Sequence, residues 1–171
     1  NRAKYDDDIY VTGNLGDSFT GLQVLENKIK VKEKIKSYFI DKYYQPNIQI
    51  KLTKTLFKYA NTSIDISDGL IADLDKMINK QNLSYVLKRD YIPISKNLLN
   101  LLKIKKLNKS NFISQGDDYQ ILFTANPAKT RIIQLTSKNL GIKITKIGKS
   151  TSDNKKSIIT DQKGKQILIK N

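Results

Sequence analysis

The stretch Ser63-Ile64-Asp65-Ile66-Ser67-Asp68-Gly69-Leu70 changes hydrophobic period in mid-course. Ile64-x-Ile66 reads as the end of a buried strand, whereas Leu70, Leu74 and Ile78 follow helical spacing. A strand that gives way to a helix within a few residues points to a sheet covered by helices. Ser67 is placed to cap the helix, so Asp65 and Asp68 straddle the strand-to-helix turn. A helix N-terminus offers free N–H groups and partial positive charge, which suit a phosphate. Flanking carboxylates suit the Mg²⁺ that travels with nucleotide phosphates. The plain alternative is structural. One polar side chain is enough for a cap, and Asp65, between two isoleucines, reads equally as a buried acid paired with a lysine or with backbone amides.

A second acidic turn precedes an apolar run in Gly116-Asp117-Asp118-Tyr119-Gln120-Ile121-Leu122-Phe123-Thr124. One of the two aspartates can shape the turn after the glycine. Two are more than a turn requires, and strand alternation sends their side chains to opposite faces.

The rest of the pattern predicts strands at Ile9–Thr12, Tyr85–Leu87 and Tyr119–Thr124, and late strands at Ile142–Ile147, Ile158–Ile159 and Ile167–Ile169. Helices are predicted through Leu22 and Leu25, from Val31 to Phe39, and over Ile50–Tyr59 with Leu52, Leu56 and Phe57 inward. Further helices are predicted over Leu98–Leu102, with Ser95 as cap, and after Pro127. Asp17 or Ser18 is expected to cap the helix that follows the tight turn Gly13-Asn14-Leu15-Gly16. Asp6-Asp7-Asp8 reads as a solvated turn. Gly148-Lys149-Ser150 resembles the tail of a phosphate loop, but Lys143 stands where that motif needs its first glycine. The expected fold is α/β (α+β): a mixed sheet flanked by helices, in one domain spanning 1–171.

Composition narrows the chemistry. The 171 residues include no cysteine and no histidine, which excludes disulfides, thiol chemistry and catalysis by a Ser-His-Asp or Cys-His arrangement. Any metal should be a hard cation held by oxygen, with Mg²⁺ foremost. No apolar run is long enough to cross a membrane, and no segment has the layout of a signal peptide. The net charge of +15 comes largely from dispersed lysines without interleaved aromatics. That distribution argues against a nucleic-acid-binding surface, which stands as the third reading.

In order along the chain, Ile9-Tyr10-Val11-Thr12-Gly13-Asn14-Leu15-Gly16-Asp17-Ser18, Asp65-Ile66-Ser67-Asp68-Gly69-Leu70 and Gly116-Asp117-Asp118-Tyr119 resemble thiamine-monophosphate kinase, a family of the aminoimidazole-ribonucleotide-synthetase-like group. The likeness covers the whole chain but only the family's C-terminal half. It implies a phosphotransferase that converts thiamine monophosphate to thiamine diphosphate with ATP, in the cytoplasm. By position it implies that Asp65 and Asp68 ligate Mg²⁺, that Ser67 contacts the nucleotide phosphates, and that Asp117 contacts the thiamine substrate. Phosphoryl transfer needs positioning and charge neutralisation more than a strong base, so a chain without histidine is no obstacle. The family's N-terminal half, which carries most acidic metal ligands and the dimer interface, is absent from these residues. The isolated chain is therefore expected to bind nucleotide weakly and to turn over little, and a family-type homodimer is an expected assembly. A non-catalytic remnant or binding module of the same fold is the alternative.

Overall fold

The computed structural model describes residues 2–78, 81–152 and 156–167. Among the described residues the strands are β1 (Asp8–Thr12), β2 (Ala60–Asp65), β3 (Leu83–Lys88), β4 (Ile121–Ala125), β5 (Ile144–Ser152), β6 (Ile158–Thr160) and β7 (Gln166–Ile167). They form one sheet in the order β2-β4-β1-β5-β3-β6-β7, and β3–β6 is its parallel pair. The predicted mixed sheet is thus the observed one. The final predicted strand is seen only at Ile167; Leu168 and Ile169 lie outside the described residues.

The helices are α1 (Asp17–Leu25), α2 (Glu33–Tyr44), α3 (Ile50–Leu56), α4 (Leu70–Ile78), α5 (Lys96–Lys105), α6 (Ser110–Ile113) and α7 (Thr130–Leu140). Leu70, Leu74 and Ile78 of α4 are fully buried against Ile9, Val11, Leu87 and Ile147 on one face of the sheet. Leu52 of α3 and Ile133 of α7 pack on the other face with Tyr10, Ile121 and Phe123. Phe39, Leu98, Leu101 and Phe112 join α2, α5 and α6 in a separate cluster. Covering both faces makes β1 and β4 buried at every position, which is why they read as continuous apolar runs.

Ser95 caps α5 as expected, accepting from the Leu98 N–H at 3.0 Å. Other expectations fail for physical reasons. Phe57 points outward, 73% exposed, because α3 ends at Leu56. Asp7 and Asp8 are buried, and only Asp6 of that run is exposed. Asp7 accepts from the Asn61 amide and the Thr124 hydroxyl, and Asp8 pairs with Lys146 at 2.6 Å, partners contributed by strands far along the chain. β2 is an edge strand, so Asp65 is exposed and is not a buried acid. Finally, α1 has no side-chain cap of its own, for reasons that belong to the site.

Candidate functional site

Two loops meet at one end of the sheet. β2 closes at Asp65, which lies opposite Ile121, the first residue of β4. Beyond that pair the backbones stay in contact: Ile66 N–H donates to the Gln120 carbonyl (2.8 Å), Tyr119 N–H to the Ile66 carbonyl (2.9 Å) and Asp117 N–H to the Ser67 carbonyl (3.0 Å). Residues 66–69 and 116–119 are in effect an irregular continuation of the β2–β4 ladder. Glycines permit it. A Cβ on Gly116 would overlap the Ser67 carbonyl, and one on Gly69 would overlap the Ser114 carbonyl. Asp117 (φ 67°) and Tyr119 (φ 49°) sit in the left-handed region that L side chains rarely adopt. The two motifs, about fifty residues apart in sequence, therefore place Asp65, Ser67, Asp68 and Asp117 along one rim.

The helix N-terminus on this rim is not free. α4 opens at Leu70, not at Ser67, and its cap comes from within the helix. One carboxylate oxygen of the fully buried Asp73 accepts from the N–H groups of Ser67 (2.9 Å), Asp68 (2.9 Å) and Gly69 (3.2 Å). Its other oxygen accepts from Lys76 at 2.9 Å, and the same ammonium pairs with Asp68. The amides that the sequence offered to a phosphate are thus already occupied by a carboxylate. The signal for Asp73 was present in the sequence: an acid at the third position after Leu70 falls on the apolar stripe of α4, where it must find partners.

Asp118 does for α1 what Asp73 does for α4. Its buried carboxylate accepts from Gly16 N–H (2.7 Å) and Ser18 N–H (3.4 Å), replacing the side-chain cap expected from Asp17 or Ser18. Asp17 instead accepts from Tyr38 (2.7 Å) and Ser95 (2.6 Å), tying α1 to α2 and α5. Burial pushes the Tyr38 hydroxyl up to about 12, and the facing Asp17 adds to the rise. Asp117 and Asp118 do diverge as predicted, one at the rim and one buried, but through a left-handed turn and not strand alternation. Asp17, Tyr38, Lys42, Asp118 and Gln120 line a small cleft of about 110 Å³ beside the rim. A larger open pocket of about 490 Å³ adjoins Asp117 itself, walled by Tyr43, Tyr44, Pro46, Ile48 and Tyr119. The helix predicted from Val31 to Phe39 stops short of Tyr43 and Tyr44, and the sequence did not mark them as a wall.

Burial drives the Asp118 carboxyl up to about 7, against the two backbone donors that favour its charge. With a folded value above the ordinary 3.8, the native state holds this proton more tightly than the unfolded chain does. The stability so gained is complete below about pH 4 and is lost as pH rises to about 7, at most roughly 4 kcal/mol in all. Asp17 is raised by burial too and acts with the same sign. Lys109, lowered by burial to about 8, titrates above this window. Urea unfolding at pH 5 and at pH 7.5 should show the loss, and Asp118→Asn should remove most of that difference.

Asp65 is exposed and Asp68 is engaged by Lys76. No three acidic side chains among the described residues converge closely enough to hold a metal ion. These two carboxylates do not by themselves make a resident metal centre. No helix among the described residues is long and apolar enough to cross a membrane.

No family model matches the chain. Curated relatives do. The thiamine-monophosphate kinases of Buchnera aphidicola from Acyrthosiphon pisum and from Schizaphis graminum are 36% and 38% identical to it, over 95% and 98% of this chain. That of Escherichia coli K12 is 32% identical over 88%. The chain spans about half the length of these relatives, 53%, 52% and 46% respectively. Among solved structures, the thiamine-monophosphate kinase of Stenotrophomonas maltophilia K279a superposes with a TM-score of 0.83 at 25% identity, covering 98% of this chain and 53% of that one. AaThiL complexed with AMPPCP and TMP gives 0.79 at 27% identity, with 98% and 50% covered. The hydrogenase maturation protein HypE of E. coli shares the fold at 13% identity, with a TM-score of 0.74. The chain is thus homologous, over nearly its whole length, to the C-terminal part of thiamine-monophosphate kinases and carries the aminoimidazole-ribonucleotide-synthetase-like fold.

Proposed function

We propose that this chain is the C-terminal domain of an ATP-dependent kinase that phosphorylates thiamine monophosphate to thiamine diphosphate. The observation that supports the reading is the backbone weld between residues 66–69 and 116–119, which joins the two turns to which the resemblance assigns nucleotide and substrate contacts. In this reading Asp117 contacts the thiamine moiety. The adjoining pocket supports it: a carboxylate beside three tyrosine rings suits a flat cation, and the thiazolium of thiamine is one. Ser67 contacts the nucleotide phosphates through its hydroxyl, since its N–H is bound by Asp73.

Asp65 and Asp68, with Lys76 released from Asp68, would offer carboxylate oxygens to the Mg²⁺ of Mg-ATP. A bound Mg²⁺ would neutralise phosphate charge. The remaining acidic ligands would come from the N-terminal half that the relatives possess, and a homodimer of the whole protein, working in the cytoplasm where ATP is held, completes the proposal. The chain's own residues position substrate and nucleotide; none serves as a strong base, and the positioning itself supplies much of the rate.

Titration of the ¹⁵N-labelled chain with thiamine monophosphate tests the substrate assignment. The largest amide shifts are expected at residues 43, 44, 117 and 119, and Asp117→Asn should weaken binding about tenfold. Shifts confined to another surface would defeat the assignment.

A further inference from the structure

A further cavity lies at the other end of β1. Asp8, which opens β1, pairs with Lys149, whereas Thr12, which closes it, pairs with Ile144. Four residues of strand separate those ends by about 13 Å. The cavity measures about 310 Å³ and lies against β3 and β5, where Val86 and Gly148 contribute to its lining. Gly148 belongs to the Gly148-Lys149-Ser150 run that the kinase reading leaves unused. It stands mid-strand, and a Cβ there would overlap the Val86 carbonyl, so the sheet surface stays flat.

Two aromatic rings flank this surface, Tyr5 at 70% and Tyr91 at 53% exposure. Three ammonium groups also line it, but they are not equivalent. Lys146 is held by Asp8 at 2.6 Å and Lys149 by Asp6 at 2.7 Å. Lys88 forms no ion pair among the described residues and lies 5.1 Å from the centre of the Tyr91 ring. The lining includes Thr151 as well, whose buried hydroxyl has no hydrogen-bond partner among the described residues. Flat backing, two rings and one cation without a carboxylate partner form the complement of a flat, negatively charged ring compound.

We propose that this cavity binds a small aromatic anion of the nucleoside-monophosphate class, with its ring between Tyr5 and Tyr91 and its anionic group on Lys88. Its site is separate from the Asp65–Asp117 rim and does not depend on the kinase reading. The test is amide-shift titration of the chain with AMP, adenosine and inorganic phosphate. AMP should shift residues 86, 88, 148 and 151, and adenosine and phosphate should each bind at least tenfold more weakly. Lys88→Glu and Tyr91→Ala, both at exposed positions, should each weaken AMP at least tenfold with unchanged thermal unfolding. The proposal is overturned if AMP shifts only residues 65–69, if Lys88→Glu leaves its affinity unchanged, or if phosphate alone binds as tightly as AMP. Tyr5→Ala gives an independent check should either first variant fail to fold.

Discussion

Replacing Gly116 with alanine is expected to destabilise the chain by about 3 kcal/mol or more, with loss of the rim's geometry. The added methyl would have to occupy the place of the Ser67 carbonyl oxygen, the atom that accepts from Asp117 N–H. Backbone, unlike the tip of a long side chain, has no rotamer by which to step aside, so the 116–119 turn must peel away from residues 66–69. The hydrogen bonds at Asp117, Tyr119 and Ile66 are then strained together. Gly69→Ala should behave alike, since its Cβ meets the Ser114 carbonyl and its φ of 121° adds backbone strain. Gly141 is the control: it too has positive φ (64°), but a Cβ there meets nothing within 4 Å, so alanine should cost only about 1 kcal/mol. Urea unfolding read by circular dichroism distinguishes the two classes.

Asp73→Ala is the second large effect, about 3–4 kcal/mol. The substitution leaves three consecutive N–H groups without their shared acceptor and frees Lys76 from one of its two carboxylates. Asn at this position should recover part of the loss, because one amide oxygen can still face the loop, although its NH₂ then opposes the Lys76 ammonium. Hydrogen exchange at Ser67, Asp68 and Gly69 is the specific readout. These amides should be protected in the native chain and exchange far faster in the alanine variant, while the amides of β1 and β4 change only with global stability. Rapid exchange at all three positions in the native chain would mean that Asp73 does not hold them.

The contrast between Leu74 and Asp73 shows what was legible in the sequence. Helical spacing at Leu70, Leu74 and Ile78 follows from burial against a sheet, a property each residue carries in its own side chain. Local punctuation was equally readable: Ser95 caps α5, and helical structure begins at Pro127. What failed were the cases in which a polar side chain finds its partner far along the chain. Asp118 caps a helix one hundred residues earlier, and Asp7 accepts from Thr124. Capping preferences describe neighbours, and nothing in the sequence near Gly16 announces that Asp118 will arrive there. The candidate residues stood out in the sequence as residue types in unusual places, not as geometry. Asp65, Ser67, Asp68 and Asp117 do share a rim. The mode of phosphate contact imagined for them, docking on free helix amides, is corrected by Asp73.

That correction moves the expected affinity for nucleotide onto side chains and cations, most of them outside this chain. Weak binding of Mg-ATP by the chain alone is the natural consequence. Thiamine diphosphate formation is therefore the direct measurement, made on the chain mixed with the N-terminal half of the Buchnera aphidicola relative, in the presence of ATP, Mg²⁺ and thiamine monophosphate. Turnover that appears only in the mixture, and that falls at least a hundredfold with Asp117→Asn in this chain, is the predicted result. A mixture that associates and binds both substrates yet forms no thiamine diphosphate, or turnover indifferent to Asp117→Asn, would contradict the assignment.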